Sequence, residues 1–331
     1  MYDKIKLILY GLPTGYDWQS VLKRIVVQSY FADGTGGSGL WLGRRVIATE
    51  TYVSFEGSLP KCLCGHNLKT LSLREVKWLI MKLSEDLGVP MYEAVVESAE
   101  FAHNFSMKEP PIMYMQKLDA MKAFRPNGWN GTKYIENGEV RCKFYDKMQE
   151  AKRKRELPKY GRENLPKNLL RYEVTFYKKG LSKLFGRDIV AEELWSKQVF
   201  WTLVAEWFGY YEDMVKLPND CWDVDYRIFE SAKDFAKWCI CIANADQNLS
   251  YYVKSVLFKL RKNPQPKDRV LHGQIQKKIQ DALEWGKSHL SLPNLTLELT
   301  DKIEQYLTWL LEQSADGITA AEERRLFNTA C

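Results

Sequence analysis

Lys133-Tyr134-Ile135-Glu136-Asn137-Gly138-Glu139-Val140-Arg141 decides the fold. Strand formers flank an Asn-Gly pair, and Asn-Gly tolerates the positive φ angles of a two-residue type I′ hairpin turn. The outgoing strand runs on through Phe144 and Tyr145. Alternation along it sorts Cys142, Phe144, Asp146 and Met148 to one side and Arg141, Lys143, Tyr145 and Lys147 to the other. A basic, Pro-containing linker follows (Lys152-Arg153-Lys154-Arg155, Pro158, Gly161, Pro166). Leu169 to Tyr177 then reads as another strand, with Leu170, Tyr172, Val174 and Phe176 on an apolar face and Arg171, Glu173 and Thr175 on a polar one.

Upstream, Lys4 to Tyr10 alternates and is predicted to be a strand. Asp17 suits an N-cap, with helical spacing after it to Gln28. Arg45 to Phe55 is rich in strand formers. Ser72 caps a helix whose apolar face (Val76, Leu79, Ile80, Leu83) ends at Gly88, and Met91 to Phe105 returns to strand character. After Gly180 the pattern becomes helical over Ala191–Tyr211, Ser231–Arg261, Gln274–Lys287 and Thr300–Gln313. The aromatic stripe Trp195, Phe200, Trp201, Trp207, Phe208 reads as the core of a helical bundle rather than a base-stacking surface. The class is therefore α+β: an antiparallel-sheet domain over 1–185, then a mainly helical domain over 186–331.

Composition narrows the function. The chain has 331 residues, 45% hydrophobic and 27% charged, which is globular rather than disordered. Its apolar runs are too short to span a membrane. Met1-Tyr2-Asp3-Lys4-Ile5-Lys6 lacks the apolar core of a signal peptide, which points to the cytoplasm. The seven cysteines include Cys62/Cys64 and Cys239/Cys241, spaced more like buried thiols in a reducing compartment than a zinc site. Net charge is +6, but residues 141–187 hold fifteen Lys/Arg against five Asp/Glu, leaving the rest of the chain net acidic. So concentrated a cationic segment is a footprint for a polyanion, or else a solubilising surface.

A single tyrosine, Tyr145, thus stands among cations on what the alternation makes an exposed face. Adjacent positive charge favours a phenolate, and a phenolate can attack a phosphodiester. Arg141, Lys143, Arg171 and the run Lys152-Arg153-Lys154-Arg155 are candidate grips for the DNA backbone. Glu173 comes beside Tyr145 if the two strands pair. Ser98, Glu100, Ala102 and Asn104 share one strand face, and a carboxylate among small residues calls for a partner such as a divalent cation. His103 faces away from Glu100 in a regular strand; only a β-bulge would bring it to the same ion. The reading depends on an accessible phenol with carboxylates close enough to share a cation beside it. Gly34-Thr35-Gly36-Gly37-Ser38-Gly39 follows a helical stretch, the wrong context for a phosphate-binding loop, and is predicted to be a flexible loop. No Walker lysine motif is present.

Val140-Arg141-Cys142-Lys143-Phe144-Tyr145-Asp146-Lys147-Met148-Gln149-Glu150, a basic spacer and then Leu169-Leu170-Arg171-Tyr172-Glu173-Val174 resemble the signature of rolling-circle replication initiators. That family includes the filamentous-phage gene II/X-type endonucleases and plasmid Rep proteins. Gly57-Ser58-Leu59-Pro60-Lys61 with Gly65-His66-Asn67, and Ala99-Glu100-Phe101-Ala102-His103-Asn104-Phe105, resemble two further family motifs. Glu100 stands where the family has Asp, and Ser98 where it has Arg.

The resemblance covers roughly residues 45–180 and implies a Rep-like nuclease sheet. It implies that Tyr145 cleaves one origin strand, single-stranded or hairpin-extruded, and stays linked to the 5′-phosphate. Lys147 and Glu150 would assist catalysis, and Glu100, Glu173 and His103 would hold Mg²⁺ or Mn²⁺. A host helicase, polymerase and single-strand-binding protein would complete replication in a bacterial cytoplasm. The helical region would recognise the origin or mediate homodimer formation. A mobilisation relaxase or single-strand transposase with the same chemistry, and a non-enzymatic nucleic-acid-binding regulator, are the rival readings.

Overall fold

The computed structural model describes residues 1–157 (except 120, 122 and 130), 165–216, 231–245, 256–258, 261–262, 266–289 and 295–312. In chain order the elements are β1 (Tyr2–Leu9), α1 (Trp18–Leu22), β2 (Val26–Tyr30), β3 (Gly36–Trp41), β4 (Arg44–Thr49), β5 (Val53–Ser58), α2 (Leu59–Cys64) and α3 (Leu73–Leu87). Then come β6 (Val95–Ser106), α4 (Pro111–Gln116), β7 (Leu118–Asp119), β8 (Arg125–Trp129), β9 (Thr132–Glu136), β10 (Val140–Asp146), α5 (Lys147–Lys154) and β11 (Leu169–Tyr177). Helices α6 (Lys178–Phe185), α7 (Lys197–Asp213), α8 (Ala232–Ala245), α9 (Pro266–His289) and α10 (Leu295–Glu312) complete the described chain. Ten strands form one antiparallel sheet in the order β2-β3-β4-β5-β1-β6-β11-β10-β9-β8. The architecture is α+β, as the alternation predicts. No helix among the described residues is long and apolar enough to cross a membrane.

Local chemistry explains the elements. Ser72 and Glu75 close a reciprocal capping box at the start of α3, and Gly88 ends the helix at φ 69°. The β9–β10 hairpin forms, but its turn is not type I′. Among the two central residues, Gly138 and Glu139, only Gly138 has positive φ, at 84°, the type II′ pattern. The Asn137 side-chain oxygen accepts from the amides of Glu139 and Val140, both at 3.0 Å, so it closes the turn instead of forming its centre.

Three segments differ from the sequence reading. The helix after Asp17 stops at Leu22, and the β-branched run Ile25-Val26-Val27 leads into β2. The glycine-rich stretch is not a loop from Gly36 onward but the buried strand β3. A Cβ at Gly36, Gly37 or Gly39 would lie 2.6–2.7 Å from a neighbouring atom, so glycine here admits the flanking strands. The basic run at 152–154 is not linker but the last turn of α5, capped at its start by the Asp146 side chain.

One sheet face is an aromatic core. Tyr2, Phe101, Phe144, Tyr172 and Phe176 pack there with Phe200, Trp207 and Tyr211 of α7. The aromatic stripe is therefore core, as expected, but core against the sheet and not of a separate bundle. By packing, one compact unit comprises Met1–Val215 with the chain from Glu298, and a second comprises Lys216–Leu297. In the second, α8 and α9 pack through Cys241 and Ala282. Residues 246–255 of the expected Ser231–Arg261 helix, and Pro158 and Gly161 of the linker, lie outside the described residues.

Candidate active site

The other sheet face carries the polar residues. Cross-strand register aligns them in rows: Tyr145, Arg171 and Asn104; then Tyr134, Lys143, Glu173 and Ala102; then Glu136, Arg141, Thr175 and Glu100. Tyr145 and Glu173 thus do meet. The Tyr145 hydroxyl donates to Glu173 Oε1 at 2.6 Å, and Lys143 Nζ donates to Glu173 Oε2 at 2.8 Å. Arg171 Nε donates to the same Oε1 at 2.5 Å. The ammonium of Lys143 lies 4.3 Å from the centre of the Tyr145 ring, and that of Lys147 lies 5.7 Å away.

A third carboxylate joins from β1. The β1–β6 register shifts between Tyr2 and Ile5, and this irregularity puts Tyr2 and Ile5 on the core side while Asp3 reaches the polar face. One carboxylate oxygen each of Asp3, Glu100 and Glu173 lies within 4.8 Å of the others. Asn67 Nδ2 donates to Asp3 at 2.7 Å, Ser58 Oγ donates to it as well, and Arg171 forms an ion pair with it. The Gly57–Lys61 and Gly65–Asn67 motif now has a physical role. Ser58 caps α2, Gly65 ends α2 in the left-handed region, and Asn67 holds Asp3 while its carbonyl accepts from Arg171 at 3.0 Å. Asp3 itself escaped the sequence reading; its only signal was an acid flanked by strand residues in an alternating run.

Electrostatics corrects one expectation outright. Tyr145 is not on an open surface: it is 4% exposed, and burial, then the Glu173 charge, push its phenol well above the ordinary value. The cations beside it do not yield a resting phenolate. For Glu173, Arg171 and Lys143 outweigh the upward push of burial and hold the carboxyl below the usual range. Glu100 goes the other way, raised to about 8 by burial and by the charges of Glu173 and Asp3. It accepts from Thr175 at 3.3 Å and has no ion-pair partner among the described residues. A carboxyl that keeps its proton near neutrality in an all-oxygen triad suits a hard divalent cation, which would replace that proton.

The remaining predicted residues divide. Arg171 is 3% exposed and committed to Asp3, Glu173 and the Asn104 side chain, so it organises the acids and is not a surface cation. Lys147, also buried, pairs with Glu150 Oε2 at 2.5 Å. Burial tends to raise the Glu150 carboxyl, but Lys147 and Lys154 prevail and bring it to about 2. Arg141 is half-exposed and bonded to Glu136. Lys152, Arg153, Lys154 and Arg155 are exposed together at the end of α5. His103 does not join the acids. The β6–β11 register is unbroken from Ser98 to Ser106, without the bulge required, and the buried His103 ring stacks on Tyr306 at 3.5 Å on the core face. Burial depresses its basicity. No disulfide joins the described cysteines; Cys142 and Cys241 are buried, Cys62 and Cys64 half-buried, and Cys239 is exposed.

Comparison with known proteins gives three findings. No curated protein matches the chain. Among solved structures, the rolling circle replication initiator protein from Geobacillus stearothermophilus is similar at 11% identity and a TM-score of 0.36, over 69% of this chain and 89% of that one. The family described as phage replication-associated protein, N-terminal, matches residues 18–198, which hold Tyr145, Glu100 and Glu173 but not Asp3. That match spans more than half of the chain, and the protein therefore belongs to this family of phage replication-associated proteins, the group its tyrosine and glutamate motifs resemble.

Proposed function

We propose that this replication initiator nicks and religates one strand of an origin in a metal-dependent reaction, with Tyr145 as nucleophile. The observation that carries the reading is the 2.6 Å hydrogen bond from the Tyr145 hydroxyl to Glu173, itself within 4.8 Å of Asp3 and Glu100. Asp3, Glu100 and Glu173 would hold Mg²⁺ or Mn²⁺, which when bound supplies positive charge against the phosphate and favours loss of the phenol proton. The Tyr145 oxygen would attack phosphorus as the bond from phosphorus to the 3′-oxygen breaks. The phenol proton would leave through Glu173, which accepts the Tyr145 hydrogen bond, and pass to the departing 3′-oxygen to give the 3′-hydroxyl that primes synthesis. Attack by a 3′-hydroxyl on the phosphotyrosine reverses these steps and reseals a circle. Arg171 positions Glu173 and Asp3, while Lys147, fixed by Glu150, lies against the nucleophile's ring. The buried phenol sets a condition: the site has to open before a phosphate reaches it.

Arg141 and the cations of 152–155 would grip the DNA backbone, whereas Lys143, paired with Glu173, would position that carboxylate. The helical region after residue 185 would recognise the origin or pair two copies, and host helicase, polymerase and single-strand-binding protein would extend and unwind the strand. Incubation with supercoiled plasmid carrying the protein's own origin and Mn²⁺ tests the reading. Open circles with a protease-sensitive adduct are expected. Tyr145→Phe should bind the origin without nicking it; normal function of that variant would favour a non-enzymatic regulator. Cleavage at a transfer site instead of an origin would favour a relaxase.

A further inference from the structure

Exposure grades along the polar face of the sheet. The row of Tyr145 and Arg171 is buried, whereas Glu136, Arg141, Thr175 and Glu100 further along are all half-exposed. The next row, Tyr177, Ser98, Lys6 and Glu56, is half-exposed as well, and Arg45 beyond it is exposed. This open end carries two aromatic rings. Arg141 Nε is fixed to Glu136 Oε2 at 2.5 Å, and its guanidinium carbon lies 5.7 Å from the Tyr134 ring centre and 5.6 Å from that of Tyr177. Among the described residues Arg141 is the sole ring contact of either tyrosine. Neither ring is spent on the core, and both flank the side of the triad where Glu100 lies.

We propose that Tyr134, Arg141 and Tyr177 form a stacking platform for unpaired nucleobases of the strand next to the cleaved phosphate. It rests on the nicking reading in one respect, that a single strand has to cross this face to reach Tyr145. Every base offers a π-face to tyrosine or guanidinium, whereas a duplex keeps those faces stacked inside. Lys6 and Arg45 on the same open end suit the phosphates between such bases, while Lys4 there is paired with Glu56. The ligand is therefore single-stranded DNA, held by its base faces and without a base-edge code.

Binding measured in EDTA, where no cleavage occurs, separates this inference from the nicking reading. The probes are oligothymidylate of about sixteen nucleotides and an abasic oligonucleotide of equal length. Tyr134→Ala and Tyr177→Ala should each weaken thymidylate binding about fivefold or more, with the salt dependence unchanged and abasic binding equal to the parent's. Tyr134→Phe and Tyr177→Phe should restore thymidylate affinity, which excludes a folding defect as the cause. Parental thymidylate affinity in both alanine variants, or equal losses on both probes, would overturn the platform. Absence of nicking by the parent protein on its origin with Mn²⁺, with these binding differences intact, would count against the nicking reading alone.

Discussion

At the residue scale, Tyr145 and Glu100 share a difficulty. The phenol is buried and hard to ionise, and the Glu100 carboxyl two rows along the sheet is raised to about 8 by burial and by the charges of Glu173 and Asp3. Under the proposed reaction, a cation held among Asp3, Glu100 and Glu173 would relieve both. Tyr145→Phe removes only the hydroxyl, so nicking should fall by about three orders of magnitude or more while origin binding in a gel-shift assay persists. Glu100 gives a signed pH prediction. Its folded pKa lies above its ordinary value of 4.5, so the folded state binds the extra proton, and stability conferred by keeping it protonated is lost as pH rises from about 5 through 8. Glu100→Gln should flatten that decline in melting temperature and diminish the stabilisation gained from added Mn²⁺; an unchanged pH profile would show that Glu100 is not held protonated. Arg171→Met leaves Asp3 and Glu173 without their shared cation and should destabilise the fold by about 3–5 kcal/mol in urea denaturation.

Elements were legible where local chemistry alone dictates them. The Ser72–Glu75 box with Gly88 bounded α3, and alternation with a turn residue found β9, β10 and β11. Alternation sorted Tyr145, Glu173 and Glu100 only within their own strands; strand register is what brings Tyr145 to Glu173 and Glu173 toward Glu100. Hidden were the features set by distant partners. β3 looked like a loop because glycine carries no pattern, yet its glycines admit Ser29 and Ala48 backbone atoms from both neighbouring strands. Gly37→Ala should therefore cost about 1–3 kcal/mol and lower the melting temperature, whereas the same change at Gly43, a turn position with positive φ but open space around it, should not clash. The shift that turns Asp3 toward the site is a property of the β1–β6 pairing, and no single strand reveals it. Lys147, read as a strand residue beside Tyr145, is instead the first residue of α5, with its ammonium 5.7 Å from the Tyr145 ring centre.

At the scale of the whole molecule, the change from strand to helical patterning near residue 185 is real, but packing divides the chain elsewhere. Helix α7 and the chain from Glu298 belong with the sheet, and only Lys216–Leu297 forms a unit apart. Aromatic residues after the boundary were needed by the sheet's core face, which no count of helices discloses. The cationic excess of residues 141–187 is partly internal too: Arg171, Lys147 and Lys143 serve the acids, and among the described residues the exposed cations are Lys152 to Arg155, Lys167, Lys179, Lys183 and Arg187. Local charge thus overstated how much of this segment's cationic charge is exposed.

The central claim is a covalent bond between one phenol oxygen and DNA. Mass spectrometry of the peptide–DNA adduct trapped with Mn²⁺ and a nicked origin oligonucleotide reads that bond residue by residue. A phosphodiester on the peptide containing Tyr145, absent in Tyr145→Phe and in metal-free samples, is the predicted result. An adduct on another residue, or free 5′-phosphate ends without any adduct, would contradict it.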